Sequence, residues 1–215
     1  MDSLTEHDVS AFRRCADALI EVGHVLYERG WSPATSSNYS MRMPGGLCAI
    51  TRSGAHKGQL TSDDIAVVDA DGHPLLPRKP SAETALHVQL YRWQERIGSV
   101  LHVHSINATV LSRVLPDDRL TLTGYELLKA LAGIDSHAAK VTIPIFANTQ
   151  DIASLACQVD EYLHRYPTCP GYLIRGHGVY TWGQTMIDTM RHLEALDFLF
   201  QCRLSEGTYE RIKSL

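Results

Sequence analysis

The stretch Ser99-Val100-Leu101-His102-Val103-His104-Ser105 is an apolar run, rich in valine and leucine, broken by two histidines. Such a run reads as a strand, because branched apolar side chains suit a pleated, buried surface. Side chains alternate faces along a strand, so His102 and His104 point to the same side. Two imidazoles at that spacing can reach one metal ion. They can equally be two half-buried histidines, each with its own hydrogen bond. The rest of the chain decides between these readings.

Upstream, Val9, Phe12, Ala16, Leu19, Gly23 and Leu26 recur at helical spacing, with a capping-box pattern at Thr5-Glu6-His7-Asp8 before them and Gly30 after them. The segment from Trp31 to Arg42 is dense in hydroxyls around Asn38, which suits local turns or a wrap around a polar ligand. Leu47 to Thr51 reads as a strand. The loop Arg52-Ser53-Gly54-Ala55-His56-Lys57-Gly58 offers backbone N–H groups and a point charge, chemistry for a phosphate or for a solvated turn. Asp63 to Leu76 predicts two short strands about Asp71-Gly72. Lys79-Pro80-Ser81-Ala82-Glu83 opens a helix, with Ser81 as N-cap and Glu83 in the first turn, and His87 lies four residues on along the same face.

Downstream, a short helix over 107–113, a strand over 120–123, a strand over 141–145 and a helix over 152–164 follow. Glu126 and Lys129 stand three apart, the spacing of a surface ion pair on one helical turn. Gly171 to Arg175 reads as a strand, closed by Gly176-His177-Gly178. A histidine between two glycines has room for close approach and can supply a third imidazole from a second strand. Three imidazoles leave an open position on a divalent metal, the coordination of a catalytic site. Thr185-Met186-Ile187-Asp188 starts a long amphipathic helix through Leu204.

The composition narrows the function further. At 215 residues, without repeat or linker, the chain is expected to form one domain over 1–215. A net charge of -4 gives no reason to expect nucleic acid or an anionic membrane as partner. No segment is long and apolar enough to span a bilayer. The acidic start is unlike a secretory signal, and five scattered cysteines suit a reducing compartment, so a cytoplasmic location is expected. Interleaved strand and helix patterns predict α/β layers around one mixed sheet.

Taken together, the Ser/Asn segment around Ser37-Asn38, Ser53-Gly54-Ala55-His56-Lys57, Lys79-Pro80-Ser81-Ala82-Glu83, His102-Val103-His104 and Arg175-Gly176-His177-Gly178 resemble, in their order, the class II (zinc-dependent) aldolase and epimerase family. The resemblance runs from roughly Phe12 to Leu199. It implies a three-layer α/β/α fold with a central mixed, mainly antiparallel sheet, a homotetramer, and one Zn²⁺ on His102, His104 and His177. It implies a ketose phosphate as substrate, with Ser37, Asn38, Ser53, Gly54, Lys57, Ser81 and Lys129 as substrate or phosphate contacts. Within the family, Pro33-Ala34-Thr35-Ser36-Ser37-Asn38-Tyr39-Ser40, Ser53-Gly54-Ala55-His56-Lys57-Gly58, Tyr125-Glu126-Leu127-Leu128-Lys129 and Gly176-His177-Gly178-Val179-Tyr180-Thr181-Trp182-Gly183 are most similar to members that dehydrate their substrate. That likeness implies Glu126 as catalytic acid/base. In aldolase members the acid/base position matches Glu83, whose place at a helix start suits a metal-facing anion. A retro-aldol lyase, an epimerase and a non-catalytic relative stand as alternatives, since a shared fold does not fix a reaction.

Overall fold

The computed structural model describes residues 6–213. Eight strands form one sheet: β1 (Asn38–Arg42), β2 (Cys48–Thr51), β3 (Ile65–Val68), β4 (Ser99–Val103), β5 (Arg119–Leu122), β6 (Val141–Phe146), β7 (Gly171–Ile174) and β8 (Gly178–Gly183). Their spatial order is β3-β2-β1-β4-β8-β7-β6-β5. Only β6 and β7 run parallel; every other neighbouring pair is antiparallel.

Five helices cover the sheet: α1 (Glu6–Glu28), α2 (Thr84–Trp93), α3 (Ile106–Val114), α4 (Ile152–Arg165) and α5 (Met186–Lys213). One core joins Leu19 of α1, Leu111 of α3 and Leu196 of α5 to Leu101, Val103 and Val179. The other joins Leu86 and Leu90 of α2 and Leu155 and Val159 of α4 to Val100, Tyr172, Tyr180 and Trp182. The strand alternation read at 99–104 thus divides β4 between two cores, giving the three-layer α/β/α arrangement with a mixed, mainly antiparallel sheet. Among the described residues no helix is long and apolar enough to cross a membrane.

Several local expectations change. The Ser/Asn segment does not stay a loop throughout: Asn38–Arg42 is a central strand between β2 and β4. Its polar side chains are tolerated there because Ser40 bonds His87 and Tyr91 inside the molecule. After Asp71-Gly72 the second strand shrinks to a single bridge, Val68 with Pro74, since proline donates no N–H to extend a ladder. Ser81 is not the helix cap; its Oγ takes the Glu83 N–H in a turn, and α2 begins at Thr84 with Glu83 at the cap. Residues Glu126–Ala130 form a short 3-10 turn. The pattern at Thr185 holds, with the Asp188 N–H on Thr185 Oγ1 at 3.1 Å. Thr5, expected to cap α1, lies outside the described residues.

Gly178 sets how closely β8 approaches β4. A Cβ there would lie 2.1 Å from the Val103 carbonyl oxygen and 3.1 Å from the His102 ring. We expect Gly178→Ala to destabilise the fold by about 1–3 kcal/mol, the usual cost of overpacking, and to shift the His102 ring signals in an NMR spectrum. Unchanged stability and ring shifts would mean that the strands separate freely there.

Candidate metal centre and active site

The open end of β4 gathers the site. His102 is fully buried at the penultimate residue of the strand, and His104 follows just past it. The backbone N–H of His104 donates to the Trp31 carbonyl at 2.9 Å, which holds the chain extended beyond the ladder. His177 sits in the tight turn joining β7 to β8, where Gly176 takes φ +67° and the His177 N–H donates to Ile174.

Their Nε2 atoms converge. His102 Nε2 lies 2.9 Å from that of His104 and 3.4 Å from that of His177. The Glu83 carboxylate faces the same point, with Oε2 3.5 Å from His102 Nε2 and Oε1 3.4 Å from His177 Nε2. His102 Nδ1–H donates to the Val179 carbonyl at 3.1 Å, which leaves Nε2 as a lone pair. Burial, and the neighbouring imidazoles after it, hold the His102 pKa well below the usual histidine value. The same two causes push His104 down to about 4. A cation at the common point could take the His102 lone pair, the other two Nε2 atoms and the carboxylate together. A tetrahedral ion with bonds of about 2.0–2.1 Å needs nitrogens roughly 3.3 Å apart, so the donor set fits a divalent metal. The other cluster of ligand-type groups among the described residues, Asp69, Asp71 and His73, is an exposed turn in which Asp69 already accepts the N–H groups of Asp71 and His73.

Glu83 is held from behind. Tyr180 donates its hydroxyl to Oε2, and Asn38 Nδ2 donates to the same oxygen at 3.4 Å. Tyr180 also stacks on the His102 ring, with centroids 4.1 Å apart. Burial, together with the Glu83 charge, keeps that phenol protonated, its pKa well above the ordinary value.

The expected phosphate contacts fall into groups. A bridge between Arg52 and Pro80 and the Ser53 N–H on the Lys79 carbonyl bring the loop with Ser53, Gly54 and Lys57 beside Ser81. Gly54 takes φ +76° with open space around it. Lys57 is 1% exposed, and its ammonium donates to the Ala55 carbonyl at 2.6 Å. Burial pushes its pKa down to about 8, and its charge also acts on His104. Ser37 holds φ +68°, and its hydroxyl donates to the Trp31 carbonyl. The Asn38 amide gives its oxygen to His87 and one of its two N–H groups to Glu83. Lys129 lies elsewhere, in an ion pair with Glu126 on the exposed 3-10 turn. The partners of Glu126 are Lys129 and His137, and no triad histidine is among them.

Beside the triad a cleft of about 470 Å³ opens between His104, His177, Ile106, Thr109, Val110, Asn148 and Gln150. Sequence reasoning missed Asn148 and Gln150, which follow β6 in an unpatterned loop. It also missed Tyr180, although strand alternation from Gly178 places it on the His102 side of the sheet.

The description "Class II Aldolase and Adducin N-terminal domain" matches residues 17–204. The chain is 58% identical over 187 residues to a methylthioribulose-1-phosphate dehydratase of Pseudomonas paraeruginosa, covering 86% of this chain and 91% of that protein. It is 52% identical over 199 residues to the protein of the same name from Marinobacter nauticus, covering 92% and 96%. Among solved structures, L-fuculose-1-phosphate aldolase from Thermus thermophilus superposes with a TM-score of 0.74 at 26% identity, covering 93% of this chain and 98% of that one. With its fold, its histidine triad and these likenesses in agreement, the chain belongs to the class II aldolase and adducin N-terminal domain family.

Proposed function

We propose that the chain is a zinc-dependent lyase that dehydrates 5-methylthioribulose 1-phosphate to 5-methylthio-2,3-dioxopentyl phosphate, the dehydration step of methionine salvage. The observation that carries this reading is the 52–58% identity, over most of the chain, to dehydratases of that name. The site geometry supplies the chemistry.

His102, His104 and His177 would hold the ion, and Glu83 would face it. Zinc bound there would supply a Lewis acid to the substrate carbonyl. Lys57, Ser53, Gly54 and Ser81 hold the phosphate, and Ser37 shapes the adjoining turn. Ile106 and Val110 give the cleft an apolar side along which the sugar chain lies. A base takes the proton from C3, the electron pair forms the C3–C4 double bond, and the C4 hydroxyl leaves as water after protonation. The resulting enol takes a proton at C4 and gives up its C3 hydroxyl proton to form the diketone. One carboxyl group can perform both transfers.

Glu126 is that group in this reading, and a neighbouring subunit of a homotetramer presents it. Two features support the assembly. Ile106, Val110 and Val114 make an exposed apolar stripe along α3 beside the triad, and Leu127 is exposed next to Glu126. Glu83, fixed between Tyr180, Asn38 and the triad, serves as the anion of the metal centre. The competing reading is a retro-aldol lyase with Glu83 as acid/base, favoured by its place at the triad.

Incubating zinc-loaded protein with methylthioribulose 1-phosphate decides between them: diketone phosphate is expected, and an aldehyde fragment or an epimer would overturn the reading. In the same assay Glu126→Gln is expected to keep zinc and lose turnover by at least ~100-fold. Normal turnover by Glu126→Gln beside a dead, zinc-loaded Glu83→Gln would reverse the roles.

Lys57 gives a test in pH. Its ammonium loses its proton, and its attraction for phosphate, as pH rises through about 8. KM is therefore expected to climb above that pH in the natural protein. Lys57→Met should raise KM far more than it lowers kcat and abolish the climb. A KM unchanged by the substitution would remove Lys57 from the phosphate site.

A further inference from the structure

His87 is fully buried on α2, one turn after Glu83, and no step described above uses it. Its Nδ1 lies 2.7 Å from Ser40 Oγ, and its Nε2 is hydrogen-bonded to Asn38 Oδ1. Ser40 Oγ lies 2.8 Å from the Tyr91 hydroxyl. Asn38 Nδ2 reaches Glu83 Oε2 at 3.4 Å. These bonds form one unbroken chain from Tyr91 to the carboxylate at the triad.

The carboxylate fixes the direction of every link. Glu83 accepts and cannot donate, so Asn38 must turn its NH₂ toward it. The Asn38 oxygen then faces His87, which must carry its proton on Nε2. His87 Nδ1 is left as an acceptor and takes the Ser40 hydroxyl proton. The Ser40 oxygen takes the Tyr91 hydroxyl proton in turn. With the opposite Asn38 flip the links could run the other way, but an amide oxygen would then sit against the carboxylate in place of a donor.

We propose that His87 is a positioning residue for Glu83: acting through Asn38, it locks the amide that donates to the carboxylate and so sets the metal-facing geometry of that carboxylate. The proposal rests on Glu83 being the anion of the metal centre. Outer partners of this kind alter metal affinity or activity by about 10–100-fold. His87→Leu is therefore expected to bind zinc about 10–100-fold more weakly in chelator competition. At saturating zinc it should lose kcat while KM for the ketose phosphate stays close to that of the natural protein. His87→Gln, with an amide that can donate to Asn38 and accept from Ser40, is expected to recover most of the zinc affinity, which a purely volume-filling role for the ring would not predict. If His87→Leu does not fold, Asn38→Ala removes the same donor from Glu83 while leaving His87 in place, and the same weakening is expected. Natural zinc affinity in folded His87→Leu or in Asn38→Ala would overturn the proposal, as would a natural protein that binds no zinc. Zinc affinity is read without turnover. A natural protein that binds zinc but makes no diketone would therefore count against the reaction and not against His87.

Discussion

The hydrogen bond from His102 Nδ1–H to the Val179 carbonyl ties the chemistry of the site to the pairing of two strands. An imidazole has one proton to place when neutral, and this bond places it on the side away from the other histidines. Nε2 is then a lone pair aimed at the common point. The bond forms because β8 lies close against β4, and Gly178 permits that approach. The same β-strand pairing puts His177 at the turn entering β8, opposite the end of β4. One backbone contact therefore sets a tautomer, a ring orientation and the distance between two imidazoles from different strands.

A second layer of order lies under α2. Strand β1 carries Asn38 and Ser40 into a face that is otherwise apolar, at positions where unpaired polar groups would each cost about 1–3 kcal/mol. They are paired instead with His87, Tyr91, Glu83 and Tyr180. The buried ring of His87 stays neutral, since burial pushes its pKa down to about 4. Polar residues in this core thus serve the carboxylate at its edge. Lys57 follows a different logic: it is buried with a backbone carbonyl and, among the described residues, no carboxylate in ion-pair contact, a state that an incoming phosphate would relieve.

The parts legible in the sequence are those with a period. Helical spacing marked α1, α4 and α5, and the two-residue spacing of His102 and His104 foretold two imidazoles on one face. The glycines around His177 marked a close approach before any strand partner was known. The strand at Asn38–Arg42 was not legible as one, because the partners of its hydroxyl and amide groups lie 45 to 142 residues away in sequence. The position of Glu83 shows the same limit. Its place at a helix start could be read locally, but its contact with three separate elements could not. Glu126 is the converse case: its surrounding motif stands out in the sequence, yet among the described residues of one chain its ionic partners are Lys129 and His137.

In the proposed metal centre, strand pairing brings three imidazoles and one carboxylate to one ion. X-ray absorption at the zinc edge of the loaded protein reads that directly. The account predicts three imidazole nitrogens at about 2.0–2.1 Å, oxygen in the remaining position or positions, and no sulfur. A shell with fewer than three imidazoles, or one containing a cysteine sulfur, would contradict it.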